Sequence, residues 1–170
     1  MQKGSHAGGI NFAALGNAAQ VAVVVFILDR ATKAFFQSVP PSWTHATNSV
    51  VTLVRHENYG IIANVPLPIA VTVTVTAFVI LLVLGAAWTA IQEGKPGQAR
   101  ALGILLGGAT GNLYDRVVQG FVFDWILLFG RSAINFADIA IVLGAVSYFI
   151  LKRRDDQMDI ARGTGQQMHT

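Results

Sequence analysis

Between Glu57 and Glu93 the chain carries no charged residue at all. That interval narrows the possible folds more than any other feature. A helix crossing a ~30 Å hydrocarbon core needs ~20 mostly apolar residues, and residues 67–91 supply them. Within the run, Val71-Thr72-Val73-Thr74-Val75-Thr76 alternates as a strand would. A lone strand in lipid leaves its backbone groups unsatisfied, so the segment is expected to be helical, with the threonines bonding back to the preceding turn.

Three more apolar stretches follow the same logic. Residues 12–36 form the first, with no charge between Lys3 and Asp29. Residues 99–117 and 132–151 form the others, the last broken only by Asp138. The third is long enough only if Asp115 and Arg116 lie at the interface or inside the bundle. It also carries Gly103, Gly107 and Gly111 at four-residue spacing, the pattern that lets membrane helices approach closely. Charged residues make up 12% of the chain, against about 25% in soluble domains. The expected fold is an all-α membrane protein with four transmembrane helices. Residues 1–154 form one polytopic domain, and residues 155–170 form a polar cytoplasmic tail expected to be disordered.

Basic residues set the orientation. With both termini cytoplasmic, Lys3, Lys95, Arg100, Lys152, Arg153, Arg154 and Arg162 face the cytoplasm and only Arg55 and Arg131 lie in the outer loops, seven against two. The first stretch ends in Asp29-Arg30 and Lys33 rather than in a small-residue cleavage site, so it is expected to remain as a helix. No basic face with interleaved aromatics exists to engage nucleic acid. The chain has no cysteine, which excludes a disulfide framework, Cys-ligated zinc and a thiol nucleophile.

Ionisable residues in membrane segments are costly and are candidates for function. Asp29 and Lys33 are four apart and share a helical face. They form either a salt bridge at the helix end or part of a substrate site. Asn112, Asp115 and Arg116 share a face at the end of the third helix. Asn135 and Asp138 share one at the start of the fourth. Asp124 stands alone in Gly120-Phe121-Val122-Phe123-Asp124-Trp125, an apolar segment that reads as an interfacial loop aiming its carboxylate inward.

Asp124 and Asp138 can therefore converge near the outer surface. Two close carboxylates in a partly dry site do not both ionise easily. One then serves as acid and the other as base. In the competing arrangement, Asp124 pairs with Arg116 and Asp138 caps the fourth helix. A proton relay for transport uses the same residue types, and a non-catalytic scaffold needs neither. No paired histidines or Glu-x-x-His spacing suit a metal, and His56 beside Glu57 reads as part of a wet loop.

Taken together, these residues resemble lipoprotein signal peptidases, the signal peptidase II family. Leu28-Asp29-Arg30-Ala31-Thr32-Lys33 is similar to their Asp-x-x-(Ser/Thr)-Lys motif, and Asn58-Tyr59-Gly60 to their Asn-x-Gly. Gly107 to Arg116 with Gly120 to Trp125 resembles a third block, and Asn135-Phe136-Ala137-Asp138 a fourth. The resemblance implies an aspartic endopeptidase of the bacterial inner membrane, with its site near the outer face. It would remove signal peptides from diacylglyceryl-modified prolipoproteins by cutting before the lipidated cysteine. Asp124 and Asp138 would be the catalytic pair, ordered by Asn112, Arg116 and Asn135. Asp29, Lys33, Asn58, Gly60 and Asp115 would support substrate and site. The resemblance also implies a small extracytoplasmic β element and a loop helix. It implies no cofactor, and the protein is expected to work as a monomer among membrane lipids. Four departures stand out: Ile61-Ile62-Ala63-Asn64 after Gly60, Arg30 where glutamine is common, Trp125 where phenylalanine is usual, and a short loop between Asp124 and Asp138.

Overall fold

The computed structural model describes residues 11–40, 50–60 and 67–167. Four helices, α1 (Phe12–Ser38), α2 (Ile69–Gln92), α3 (Pro96–Val118) and α4 (Phe136–Gln167), surround one another at one end. Three strands, β1 (Val51–Asn58), β2 (Val122–Leu128) and β3 (Ser132–Ile134), form an antiparallel sheet at the other, in the order β1-β2-β3. The alternating Val-Thr segment lies inside α2. Thr72 Oγ1 donates to Ile69 O at 3.0 Å and Thr76 Oγ1 to Thr72 O at 2.7 Å.

The helices have their polarity reversed relative to a water-soluble bundle. Phe78, Leu81 and Leu82 point outward from α2, each more than half exposed, while Asp29, Lys33 and Asp115 are essentially buried. Water would penalise that exposed apolar surface, and lipid favours it. α1 and α2 are each long and apolar enough to cross a membrane.

α3 is the hub, packing against all three other helices. Its glycines allow this. A Cβ at Gly103 or Gly107 would lie 2.5 Å from the backbone oxygen of Ala18 or Ala22, and one at Gly111 2.5 Å from Asp29 Oδ2. The four-residue glycine spacing thus becomes a backbone-to-backbone seam with α1. Far from the sheet, Ala14, Ala18, Ala87, Ala90, Ile91, Ala99 and Leu102 close an apolar core, with Tyr148 of α4 packed on it.

Four expectations change. The apolar segment around Asp124 is strand β2 rather than a loop. It pairs with β1, and a β-bulge between Leu53 and His56 sets Asp124 opposite His56. His56 therefore belongs to a strand rather than to a wet loop. The fourth helix starts at Phe136 rather than 132, because Ser132–Ile134 pairs with β2 as β3. The tail beyond Arg154 is not disordered up to Gln167: α4 continues through it. Side-chain contacts from the α2–α3 turn and the first turn of α3 hold this extension. Gln98 Nε2 donates to Asp155 Oδ2 at 2.7 Å, and Lys95 Nζ lies 3.4 Å from Asp159 Oδ2. The described parts of the outer loops contain no helix. Residues 41–49 and 61–66, which include the altered Ile61–Asn64 segment, lie outside the described residues.

Candidate active site

Asp138 sits in the first turn of α4, three residues after Asn135. The two cap the helix reciprocally. Asn135 N–H donates to Asp138 Oδ2 at 3.0 Å, and Asp138 N–H donates to Asn135 Oδ1 at 3.1 Å. This is a capping box with asparagine and aspartate in its two roles. Asp138 thus caps the helix, as the competing arrangement had it, while its other oxygen accepts from Asn112 Nδ2 at 2.8 Å.

Asp124 reaches the same place from β2. Its Oδ1 accepts from Asn135 Nδ2 at 2.6 Å, and its Oδ2 accepts from Asn58 Nδ2 at 3.0 Å. Asn135 therefore touches both carboxylates, one through its side chain and one through its backbone. The sequence spacing brings Asn112, Asn135, Asp124 and Asp138 together, and β1 adds Asn58.

Three asparagine amides face these two acids, and in each the oxygen is taken by a group that can only donate. Lys33 Nζ, 3.0 Å away, takes Asn112 Oδ1; Gly60 N–H, at 2.9 Å, takes Asn58 Oδ1; Asp138 N–H takes Asn135 Oδ1. An ammonium or backbone N–H has no acceptor to offer. Each amide must therefore turn its NH2 toward a carboxylate. Arg116 forms no salt bridge with Asp124. Its guanidinium donates to Gly60 O at 2.9 Å and to Asn112 O at 3.2 Å, pinning the loop after β1 to α3.

Asp124 is fully buried. Its carboxyl is pushed up to about 6, by burial first and by the neighbouring Asp138 charge second, against the opposing bonds from Asn58 and Asn135. A carboxyl there carries a proton far more readily than one in water.

A second cluster lies beneath. Lys33 Nζ is 3.0 Å from Asp29 and 2.7 Å from Asp115, and Arg30 is 2.8 Å from Asp29 and 2.6 Å from Asp115. Asp29 Oδ1 also accepts from Ala137 N–H at 3.2 Å, tying α1 to the start of α4. The i,i+4 spacing predicted the Asp29–Lys33 pair. It did not predict that Lys33 also bonds Asn112, one step from Asp138. Arg30, a departure from the family pattern in the sequence, completes this cluster. A charge count would have found it: Asp29 and Asp115 need two cations, and Lys33 is only one. Asp115 belongs to this cluster and does not touch the carboxylate pair.

A cavity of about 990 Å3 opens beside the site. Asp138, Asn112 and Arg116 line it, and its long walls are apolar, with Val75 and Val79 from α2 and Ile141 and Val142 from α4.

Helices with an apolar exterior, a small sheet and two amide-held carboxylates beside a long apolar cavity define a membrane-type protein equipped for acid–base chemistry. Residues 21–152 match the family described as Signal peptidase (SPase) II. A lipoprotein signal peptidase of Pseudomonas paraeruginosa is 34% identical over 143 residues, covering 74% of this chain and 81% of the relative. One from Pseudomonas aeruginosa is 35% identical over the same shares. A solved structure described as a bacterial membrane enzyme, 21% identical, superposes with a TM-score of 0.69 over 83% of this chain and 90% of that one. The chain belongs to the signal peptidase II family, a family of peptidases.

Proposed function

We propose that this protein is an aspartic endopeptidase of the bacterial inner membrane. It removes the signal peptides of diacylglyceryl-modified prolipoproteins by cutting before the lipidated cysteine. The observation that carries the reading is the amide setting of Asp124 and Asp138, linked through Asn135, with no cation among the described residues bonded to either. A cation on either acid would hold it permanently ionised. Neutral amides orient a carboxyl in both of its protonation states.

The pair works with a single proton. The ionised carboxylate takes a proton from water as that water attacks the scissile carbonyl. The protonated partner gives its proton to the carbonyl oxygen, forming a neutral tetrahedral diol. Collapse returns a hydroxyl proton to one carboxylate, the leaving nitrogen receives a proton from the other, and the C–N bond breaks. In this reading all four helices span the bilayer, with both termini cytoplasmic and the sheet on the outer face. Residues 1–154 form the membrane domain. The protein acts as a monomer on lipid-modified precursors, and the apolar cavity walls receive the signal helix.

The test is cleavage by purified protein in lipid nanodiscs of a precursor with or without its diacylglyceryl group. Mass spectrometry should find a mature product beginning at the lipidated cysteine, from the lipidated precursor alone. Cleavage at another bond, or none by folded protein, would remove the reading.

A further inference from the structure

The cavity at the site has two chemically different ends. Toward the helices its walls are apolar. At the sheet it is rimmed by Arg55 and His56 of β1 and by Arg131, in the turn between β2 and β3. Both arginines are exposed. Arg55 Nη1 donates to Val39 O at 3.2 Å, which anchors it across the start of the first outer loop. Among the described residues no carboxylate pairs with either arginine. The acids nearby are engaged elsewhere: Glu57 accepts from the Tyr59 hydroxyl at 2.7 Å, and Asp124 is buried against asparagines.

We infer that Arg55 and Arg131 form a specificity site for acidic side chains in the first residues of the mature segment, just after the lipidated cysteine. The inference rests on the cleavage reading above. If the scissile bond lies at Asp138, the chain must leave in both directions. The apolar walls between α2 and α4 suit the signal helix and reject a polar segment, since an unpaired polar group in an apolar setting is penalised. The mature segment therefore leaves past the sheet. A cavity of about 990 Å3 is on the order of 10 Å across, about three residues of extended chain. The second to fourth residues of the mature segment then meet two guanidinium groups that no carboxylate among the described residues pairs with, and whose planar forks match a carboxylate.

The experiment measures kcat/KM in zwitterionic-lipid nanodiscs for three lipidated precursors. They differ only in carrying Asp, Asn or Lys at the second and third mature positions. Asp should be preferred over Lys by about tenfold, about threefold for each arginine, mainly in KM and less at high salt. Arg55→Gln with Arg131→Gln should bring the Asp/Lys ratio close to one, and Arg55→Glu with Arg131→Glu should invert it. The ratio is internal to each variant, so a change in the amount folded cancels. Cleavage of the Asn precursor with no Asp/Lys preference, or a preference that survives the double substitution, overturns the specificity site and leaves the protease reading standing. A double-substitution effect that appears only when anionic lipid is added, whatever the precursor charge, overturns it in favour of a headgroup site. Failure to cleave all three precursors overturns both readings together.

Discussion

Two acidic clusters share one residue, Asn112, and are built on opposite principles. Asp29 and Asp115 lie among Lys33 and Arg30, two charges of each sign within 3.0 Å. Asp124 and Asp138 lie among three amides, and among the described residues no cation is bonded to either. The first arrangement sets cations against both carboxylates, as a buried charge requires. The second leaves the proton inventory open. Compensation marks the cluster that ties the helices together, and in the proposed mechanism its absence marks the cluster that exchanges a proton with a substrate.

If that contrast holds, substitutions in the two clusters must fail differently. The largest effect belongs to the amide-held pair. Asp124→Asn or Asp138→Asn should each lower cleavage by at least about 10³-fold. The double substitution should cost little more, because residues acting as a unit are not additive. Multiplying losses in single-turnover assays would show two independent groups.

The compensated cluster should fail in stability. Lys33→Met leaves two buried carboxylates with one cation and should cost roughly 3–5 kcal/mol in detergent unfolding. Its activity per folded molecule should fall less, through a looser Asn112. A variant that unfolds normally but does not cleave would move Lys33 into the catalytic group.

The contrast also predicts a dependence on pH. Asp124 has a folded value near 6, raised above that of the unfolded chain. The native state thus holds its proton more tightly, and the resulting stability is fully present below the unfolded value and lost as pH rises through about 6. Relative to wild type, Asp124→Asn should gain stability between about pH 4 and pH 6 and then level off. In the wild type, kcat/KM should decline as pH rises through the same region, because the pair loses its one proton. A profile flat from pH 5 to 8 would contradict the shared proton.

The smallest effect tests Arg30. Its guanidinium is about one-fifth exposed and stands over the Tyr114 ring, 4.9 Å from the centroid. Solvent screens it more than Lys33. Arg30→Gln should cost about 1 kcal/mol in unfolding and leave the Asp124 pH response in place. A shift in that response would mean that the two clusters are electrically one.

Much of this was readable because it is local. The apolar runs located the helices, the glycine spacing located the α1–α3 seam, and the i,i+3 pattern of Asn135 and Asp138 located the cap. What was not readable depends on partners far along the chain. β1 and β2 pair across more than 60 residues, and nothing inside Val122–Leu128 says that its partner exists. An apolar segment with one acid reads equally as a loop. The part Arg30 plays depends on Asp115, on another helix. The extension of α4 is not legible locally because its supports, Lys95 and Gln98, lie at the start of α3.

The glycine seam determines which parts of the bundle can give way. Sliding one helix by a single residue moves it 1.5 Å and turns it by about 100°. The bonds from Lys33 to Asn112 and Asp115, at 3.0 and 2.7 Å, would not survive such a slip. With backbone against backbone at Gly103 and Gly107, α1 and α3 behave as a single beam. α2 packs chiefly on α3. It is closed against the rest by the apolar core at one end, and it stands across the cavity from α4 at the other. In the proposed function that cleft serves as a side door. For a protein acting as proposed here, a precursor anchored by its own acyl chains reaches the carboxylates by drifting laterally within the bilayer, never passing through water.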